Sequence, residues 1–339
     1  MSSLRRSAER PGHGSHGWLA GVRAATVLVF EHPATWALGL AGFLARGGIL
    51  LLLIPIVPLP SPVGLANIVG PTAATPSGPS PEAAGALAVG GAVLLAWLVL
   101  GNAVGALSDV LLTRTFVAGS GRASLRPGPL GPGPLGTALL GRLVAVRLAA
   151  LVPFALALAF AAGPIVVATY RQLISPYDLA VPLVSRVVRE VSPLIALIVG
   201  AWLLGEVVAG LAVRYIVLRN DSGIVAIGRA LGHVVRRPGT TLATTVVGLA
   251  GLVLAVGPPM VAAAAVWSLL EASFVPSLGG GGDAGRIAFL GLCLVAIWTG
   301  GLFLCGVASA WRGLLLTAEV TRPDAKRRDA YPDVRQGPG

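Results

Sequence analysis

Charged residues are scarce in this sequence, and their scarcity limits the kind of protein it can encode. Asp, Glu, Lys and Arg make up 12% of the 339 residues, whereas 55% are hydrophobic. Soluble globular domains carry about 25% charged residues, so a soluble fold is excluded. Apolar runs of about 20 residues or more, separated by polar loops, are typical of multi-pass helical membrane proteins.

Cysteine and lysine are also nearly missing. Cys293 and Cys305 lie in one apolar run, where a straight helix would hold them about 18 Å apart. This distance is too long for a disulfide, so we expect both to be core residues. Lys326 is the only lysine among 25 basic residues. This bias indicates a GC-rich bacterial genome and predicts a bacterial cytoplasmic (inner) membrane protein.

The motifs of common enzymes and cofactor sites do not occur. The chain has no phosphate-binding loop, no His-Glu-x-x-His, no Gly-x-Ser-x-Gly and no Cys/His cluster at metal spacing. We therefore predict no catalytic residue, no metal and no cofactor. The net charge of +11 favours an anionic partner, but the arginines flank membrane segments and lack the aromatic interleaving of nucleic-acid binders. We expect no nucleic-acid partner.

The clearest pattern that is present lies between Asp221 and Leu270. Asp221-Ser222 is a natural helix cap, and Pro238-Gly239 ends the helix that follows. That helix is amphipathic, with an apolar side and a basic side, as in helices that lie in a membrane surface. The apolar side holds Ile224, Ile227, Leu231 and Val234, and the polar side holds Arg229, His233 and Arg236. The uncharged stretch 240–270 is long enough to cross a bilayer.

The same reasoning along the whole chain predicts an all-α membrane protein with six transmembrane helices and cytoplasmic-side interfacial amphipathic helices. The spans are expected at about 35–57, 84–107, 147–169, 193–213, 240–270 and 286–310. Residues 18–320 form the transmembrane domain. The polar segments 1–17 and 321–339 are predicted to be disordered cytoplasmic tails. A surface helix is expected over 18–32, and a short amphipathic helix within 171–192.

Arginine placement predicts the orientation. With the N-terminus inside, 20 basic residues fall on the inner side of the six spans and four on the outer side, with Arg46 inside a span. The positive-inside rule then places both termini in the cytoplasm.

An internal repeat is one interpretation of the even-numbered spans. Arg114, Arg214 and Arg312 each follow the apolar core of such a span, at separations of 100 and 98 residues. Three modules, each a surface helix plus a helical hairpin, would explain this spacing. The alternative is coincidence in a chain rich in Gly, Ala and Leu.

The amphipathic segment Ala226-Ile-Gly-Arg-Ala-Leu-Gly-His-Val-Val-Arg-Arg-Pro238 resembles segments of a group of bacterial multi-pass membrane proteins. The group includes the integral membrane region attached to some glycerophosphodiester phosphodiesterases. The resemblance covers about residues 18–320 and rests on this pattern. It implies no hydrolase activity here, because the soluble phosphodiesterase barrel takes about 250 residues.

Charged residues within spans are the strongest functional signal, because a charge at mid-bilayer costs about 2.5–3.5 kcal/mol. Arg46 lies in the first predicted span and Glu206 in the fourth. They could pair with each other, and Asn102 could join them on the small-residue face Gly101–Gly105. Three outcomes are open: a polar functional site, a structural ion pair, or no contact.

Two further sets of candidates follow from local pattern. Gly257-Pro258-Pro259 interrupts the fifth span and predicts either a hinge or a static kink. Several arginines near the membrane surface could bind anionic lipid headgroups, or they could serve only to set the topology. They are Arg122, Arg126, Arg229, Arg236 and Arg237.

Three function classes remain. The first is a non-enzymatic scaffold or accessory membrane subunit, with membrane lipids and other membrane proteins as partners. The second is a transporter or lipid-handling permease unit with a polar site around Arg46 and Glu206, and the third is a membrane enzyme. A water-accessible cavity that reaches Glu206 would favour the second class, and tight packing would favour the first. A second acid or a nucleophile beside Glu206 would favour the third.

Overall fold

The computed structural model describes residues 17–50, 81–119, 136–174, 181–274 and 284–322. Within these ranges the chain is helical apart from short connections, and no residue is in a strand. The predicted all-α class is confirmed to that extent. The predicted tails fall almost entirely outside the described residues, as do 51–57 of the first predicted span.

The helices begin and end as follows. They are α1 (Trp18–Glu31), α2 (Ala34–Phe43), a π-helix (Leu44–Gly48), α3 (Pro81–Gly119), α4 (Thr137–Ile174), α5 (Leu183–Glu190), α6 (Ser192–Arg219), α7 (Gly223–Arg236), α8 (Pro238–Phe274) and α9 (Ala284–Val320).

Five of the described helices, α3, α4, α6, α8 and α9, are long and apolar enough to cross a membrane. The number rises to six if α1 and the segment 34–48, which meet at a bend of 104°, are counted as one broken span. The protein is therefore a membrane-embedded, multi-pass helical protein.

The five long helices extend beyond the predicted spans. α4 begins at Thr137 and runs through Pro153 and Pro164 as one helix. α8 continues through Pro258 and Pro259. Pro259 packs against Gly301 of α9, where an added Cβ would lie 2.8 Å from the proline Cβ. Neighbouring helices can support proline inside a membrane helix in this way.

The helices pack tightly at one end of the bundle and separate at the other. The C-terminal halves of α3, α6 and α9 contact one another at the centre, while α2 packs on α3, α4 on α6 and α8 on α9. No described side chain of α3 before Gly101, or of α6 before Gly205, is buried. Val89, Val93 and Leu95 of α3 are about two-thirds exposed. The packed end therefore holds the core, and the separated end presents apolar side chains outward.

The amphipathic helix α7 lies against the packed end through small residues. Ala226 and Ala230 are buried, whereas Ile224 is 86% and Val235 78% exposed. Ser222 is the N-cap in an extended conformation, but its side chain makes no capping hydrogen bond. The predicted helix is confirmed, and the predicted side-chain cap is wrong. The predicted short helix within 171–192 appears as α5.

Candidate functional site

A buried aspartate surrounded by arginines forms the centre of the packed end. Asp109 of α3 is 5% exposed and accepts a hydrogen bond from Arg46 Nη2 at 2.7 Å. Arg147 of α4 donates a short hydrogen bond to the same oxygen, Oδ2. Arg214 of α6 lies with Nη2 3.6 Å from Oδ1. One carboxylate thus faces three guanidinium groups from three different helices.

Arg214 is held by the protein on every side. Its Nε donates to Thr317 Oγ1 at 3.0 Å, its Nη1 to the Gly210 carbonyl at 2.5 Å, and its Nη2 to the Gly313 carbonyl at 2.7 Å. The side chain is 1% exposed. Because all three guanidinium nitrogens bond to protein groups, Arg214 acts as a structural link between α6 and α9.

The backbone near Arg46 is shaped to bring its side chain to Asp109. Arg46 lies in the π-helix, and Gly47 beside it has φ 93°, a left-handed conformation that glycine adopts without strain. Gly105 of α3 faces the arginine, and a Cβ there would lie 2.7 Å from Arg46 Nε. The Gly105 carbonyl also accepts from Arg46 Nη2 at 2.9 Å. A π-turn of this kind is common at functional sites.

A cavity of about 390 Å³ lies beside this cluster. Among the described residues that line it, four arginines stand against two carboxylates, a surplus of two positive charges. The charged lining residues are Arg46, Asp109, Arg147, Glu206, Arg214 and Arg312. Apolar side chains, including Phe43, Leu50, Trp202 and Leu252, line the remainder.

The predicted partners Arg46 and Glu206 line the same cavity but do not pair with each other. Glu206 accepts from Arg312 Nη2 of α9 at 3.0 Å, whereas Arg46 bonds to Asp109. Asn102 does not join either pair, since its amide nitrogen donates to the carbonyl of Leu98, in its own helix, at 2.7 Å. Of the three outcomes, a direct ion pair between Arg46 and Glu206 is therefore not the one observed. Each residue has a different counter-ion.

The residues that complete this site are not among the predicted candidates. The predicted span 84–107 ends before Asp109, the predicted span 147–169 begins at Arg147, and Arg214 and Arg312 are predicted to follow the apolar cores of their spans. A local signal was available, because Arg147, Arg214 and Arg312 each have apolar residues on both sides for about a turn or more. An arginine at a true helix end would have polar residues on one side.

The small-residue face predicted on α3 is used for close packing. A Cβ on Gly101 would overlap the backbone carbonyl of Ala45, and Gly105 leaves room for Arg46. α3 therefore approaches the π-helix closely enough for the ion pair to form.

A second basic pocket of about 400 Å³ lies along α7. Arg219, Arg229, Arg236 and Arg237 line it together with Tyr215 and His233. Arg229 pairs with Asp221 at 2.5 Å, and the Arg219 guanidinium lies over the Tyr215 ring. Three of the predicted headgroup arginines therefore share one pocket. Arg122 and Arg126 lie outside the described residues.

The remaining candidates can be placed but have no demonstrated role. Gly257, Pro258 and Pro259 lie inside the continuous helix α8, so the hinge stays a prediction. Cys293 and Cys305 are both free; Cys305 is buried, as predicted for a core residue, whereas Cys293 is only half-buried. Among the described residues, no group of three or more His, Cys, Asp or Glu could hold a metal ion.

Comparison of the chain with protein-family models, with curated proteins and with solved structures produced no match. The resemblance to the membrane region of phosphodiesterases therefore stays a prediction.

Proposed function

We propose that this protein is a lipid-handling integral membrane protein that binds the anionic headgroup of a lipid in the cavity beside Asp109. The observation that carries this proposal is the cavity itself, since four arginines and two carboxylates from five helical segments converge on a space of about 390 Å³. Guanidinium groups bind phosphate with charge-assisted, often bidentate, hydrogen bonds.

The depth of the cavity supports a headgroup ligand. We place the separated end of the bundle across the hydrocarbon layer, whose thickness is about 30 Å. At about 1.5 Å per residue, Arg147 lies about 36 Å along α4 from Arg171, and Arg214 about 33 Å along α6 from Ser192. Both arginines then lie just past the hydrocarbon layer, at the level where lipid phosphates are found.

The cavity favours lipid handling over a scaffold role and over an enzyme. A scaffold needs only packed helices, whereas Glu206 lines an open cavity and its side chain is 20% exposed. Asp109 is a second acid on the same cavity, which was the feature expected of an enzyme. Its carboxylate faces three guanidinium groups, so it is occupied as a counter-ion and is not free to act as a base.

The finer topology is part of the same proposal. The packed end faces the bacterial cytoplasm, both termini are cytoplasmic, and α1 and α7 lie at the cytoplasmic interface. The three helix pairs α2 with α3, α4 with α6 and α8 with α9 form three hairpin modules. The outward apolar edge of α7, at Ile224, Leu231 and Val235, supports contact with acyl chains.

Lipid retention tests the proposed function. We expect the full-length protein, purified in mild detergent from bilayers of phosphatidylcholine and phosphatidylglycerol, to retain anionic lipid selectively. The double variant Arg46→Gln with Arg312→Gln should lose at least about 90% of that retention, because each lost charge-assisted contact is worth about 1.5–3 kcal/mol. The measurement is mass spectrometry of the bound lipid.

Arg171→Gln is the matched control, since Arg171 also forms an ion pair, with Glu190 at 2.8 Å, but far from the cavity. Equal retention by the double variant and by the wild-type protein would refute the headgroup site.

Cysteine labelling tests the orientation. A cysteine at Ser77, in a protein with Cys293→Ala and Cys305→Ala, should react in intact cells with a maleimide that cannot cross the membrane. A cysteine at Ser222, at the start of α7, should react only after the membrane is opened. The reverse pattern would show that the packed end faces outward.

A further inference from the structure

We infer that the lipid bound in the Asp109 cavity carries a phosphate monoester headgroup. This inference rests on the proposed function and names the ligand class of the same site. The described residues of the lining have a surplus of two positive charges. A phosphate monoester carries about −1.5 to −2 charges near pH 7, whereas the phosphodiester of a common phospholipid carries one. A surplus charge next to the hydrocarbon layer is unfavourable, so the dianion balances the site best.

The available hydrogen-bond donors match such a headgroup. Arg214 is 1% exposed and already donates to protein groups from Nε, Nη1 and Nη2, so we do not count it among the donors to the ligand. Arg147 is 4% exposed, and its Nε has no hydrogen-bond partner in the described part of the chain. The bonds of Arg46 and Arg312 to described residues all use Nη2, so each keeps further N–H groups. Three arginines on three segments can therefore donate to the three terminal oxygens of a monoester.

The apolar part of the cavity indicates a lipid and not a free phosphate. Trp202 of α6 and Leu252 of α8 both line it, yet α6 and α8 barely touch one another. Toward the separated end, apolar side chains of both helices, such as Val199 of α6 and Val261 of α8, are exposed. An acyl chain can leave the cavity through the gap between these helices and remain in the bilayer, and a soluble anion would not use this surface.

The experiment compares two lipids with the same acyl chains. Binding of dioleoyl phosphatidic acid, a monoester, and of dioleoyl phosphatidylglycerol, a diester, to the purified full-length protein is measured by native mass spectrometry in detergent. We expect the monoester to bind at least about ten-fold more tightly. Arg46→Gln, which removes one of the two surplus charges, should narrow the preference to about two-fold or less. Arg171→Gln should leave it unchanged.

Competition with inorganic phosphate distinguishes a lipid headgroup from free phosphate, since both present the same phosphate oxygens to the arginines. We expect millimolar phosphate to displace little of the bound phosphatidic acid. Displacement at micromolar phosphate would overturn the lipid assignment and make the free anion the ligand.

Failure of the monoester assignment and failure of the headgroup site itself would give different results. Equal affinity for both anionic lipids in the wild-type protein, with both lowered in Arg46→Gln, would overturn the monoester class and leave the headgroup site intact. Equal affinity for phosphatidic acid, phosphatidylglycerol and phosphatidylcholine would overturn both. The comparison of lipids on the wild-type protein needs no variant, so it stands even if a variant fails to fold.

Discussion

Asp109→Asn is expected to lower the stability of the protein more than any other single change to an ionisable residue of the cavity. Asp109 is the shared counter-ion of Arg46, Arg147 and Arg214. Removing its charge leaves three guanidinium groups close together, two of them at most 4% exposed. Removing one partner from a buried ion pair costs about 3–5 kcal/mol, a large share of the 5–15 kcal/mol that typically separates folded from unfolded protein.

The measurement is the midpoint of thermal unfolding in detergent, together with the amount of protein in the membrane. We expect the midpoint to fall by about 4–7 °C, because the unfolding entropy of a 339-residue chain is about 0.7 kcal/mol/K. Glu190→Gln is the matched control, because Glu190 also pairs with an arginine, but both side chains are more exposed, Arg171 at 65% and Glu190 at 26%. A pair of this kind is worth less than about 1 kcal/mol, so the midpoint should move little.

A second variant separates charge repulsion from general damage. Asp109→Asn combined with Arg147→Gln removes one of the crowded cations. The midpoint of thermal unfolding should then be higher than in Asp109→Asn alone, since the effects of substitutions at contacting residues are not additive. A normal midpoint for Asp109→Asn alone would contradict the buried cluster and would mean that water or another anion neutralises the three arginines.

The long apolar helices could be predicted from the sequence because hydrophobicity is a local property of the chain. The predicted spans were too short for a physical reason. The predicted span 84–107 ends where the uncharged apolar run ends, just before Asp109. The helix itself continues to Gly119, because a charge that is paired by Arg46 and Arg147 does not interrupt helical hydrogen bonding.

The ion pairs could not be predicted, because they depend on how the helices are rotated and which of them are neighbours. Arg46 and Glu206 were matched as the two charges within predicted spans. Their actual partners, Asp109 and Arg312, come from α3 and α9 and lie beyond the predicted spans 84–107 and 286–310. The long arginine side chain also lets Arg312 reach a residue at a different depth.

The depth of the arginines in the proposed repeat could not be predicted from the sequence either. Arg114, Arg214 and Arg312 were matched by spacing along the chain. In the structure, Thr113, the residue before Arg114, lies with its Oγ1 3.5 Å from Thr317 Oγ1 of α9. The depth of Arg114 therefore corresponds to a position on α9 about five residues after Arg312. Spacing along a sequence does not fix depth when helices have different tilts and connections.

Gly205→Ala is the second change with a large expected effect, since α6 lies in direct contact with the backbone of α4 at Gly205. A Cβ on Gly205 would overlap the backbone carbonyl oxygen of Ala150. Backbone cannot rotate away as a side chain can, so the two helices would have to separate, at a cost of about 1–3 kcal/mol.

Gly200 supplies the matched control on the same helix. A Cβ there meets nothing within 4 Å, and alanine has a higher helix propensity than glycine by about 1 kcal/mol. Gly200→Ala should therefore leave the midpoint of thermal unfolding unchanged or raise it slightly, while Gly205→Ala lowers it. Because Glu206 follows Gly205 directly, we also expect Gly205→Ala to weaken lipid retention. If the two variants had the same midpoint, α4 and α6 would not be in close contact. The cavity wall that these two helices form would then be wrong.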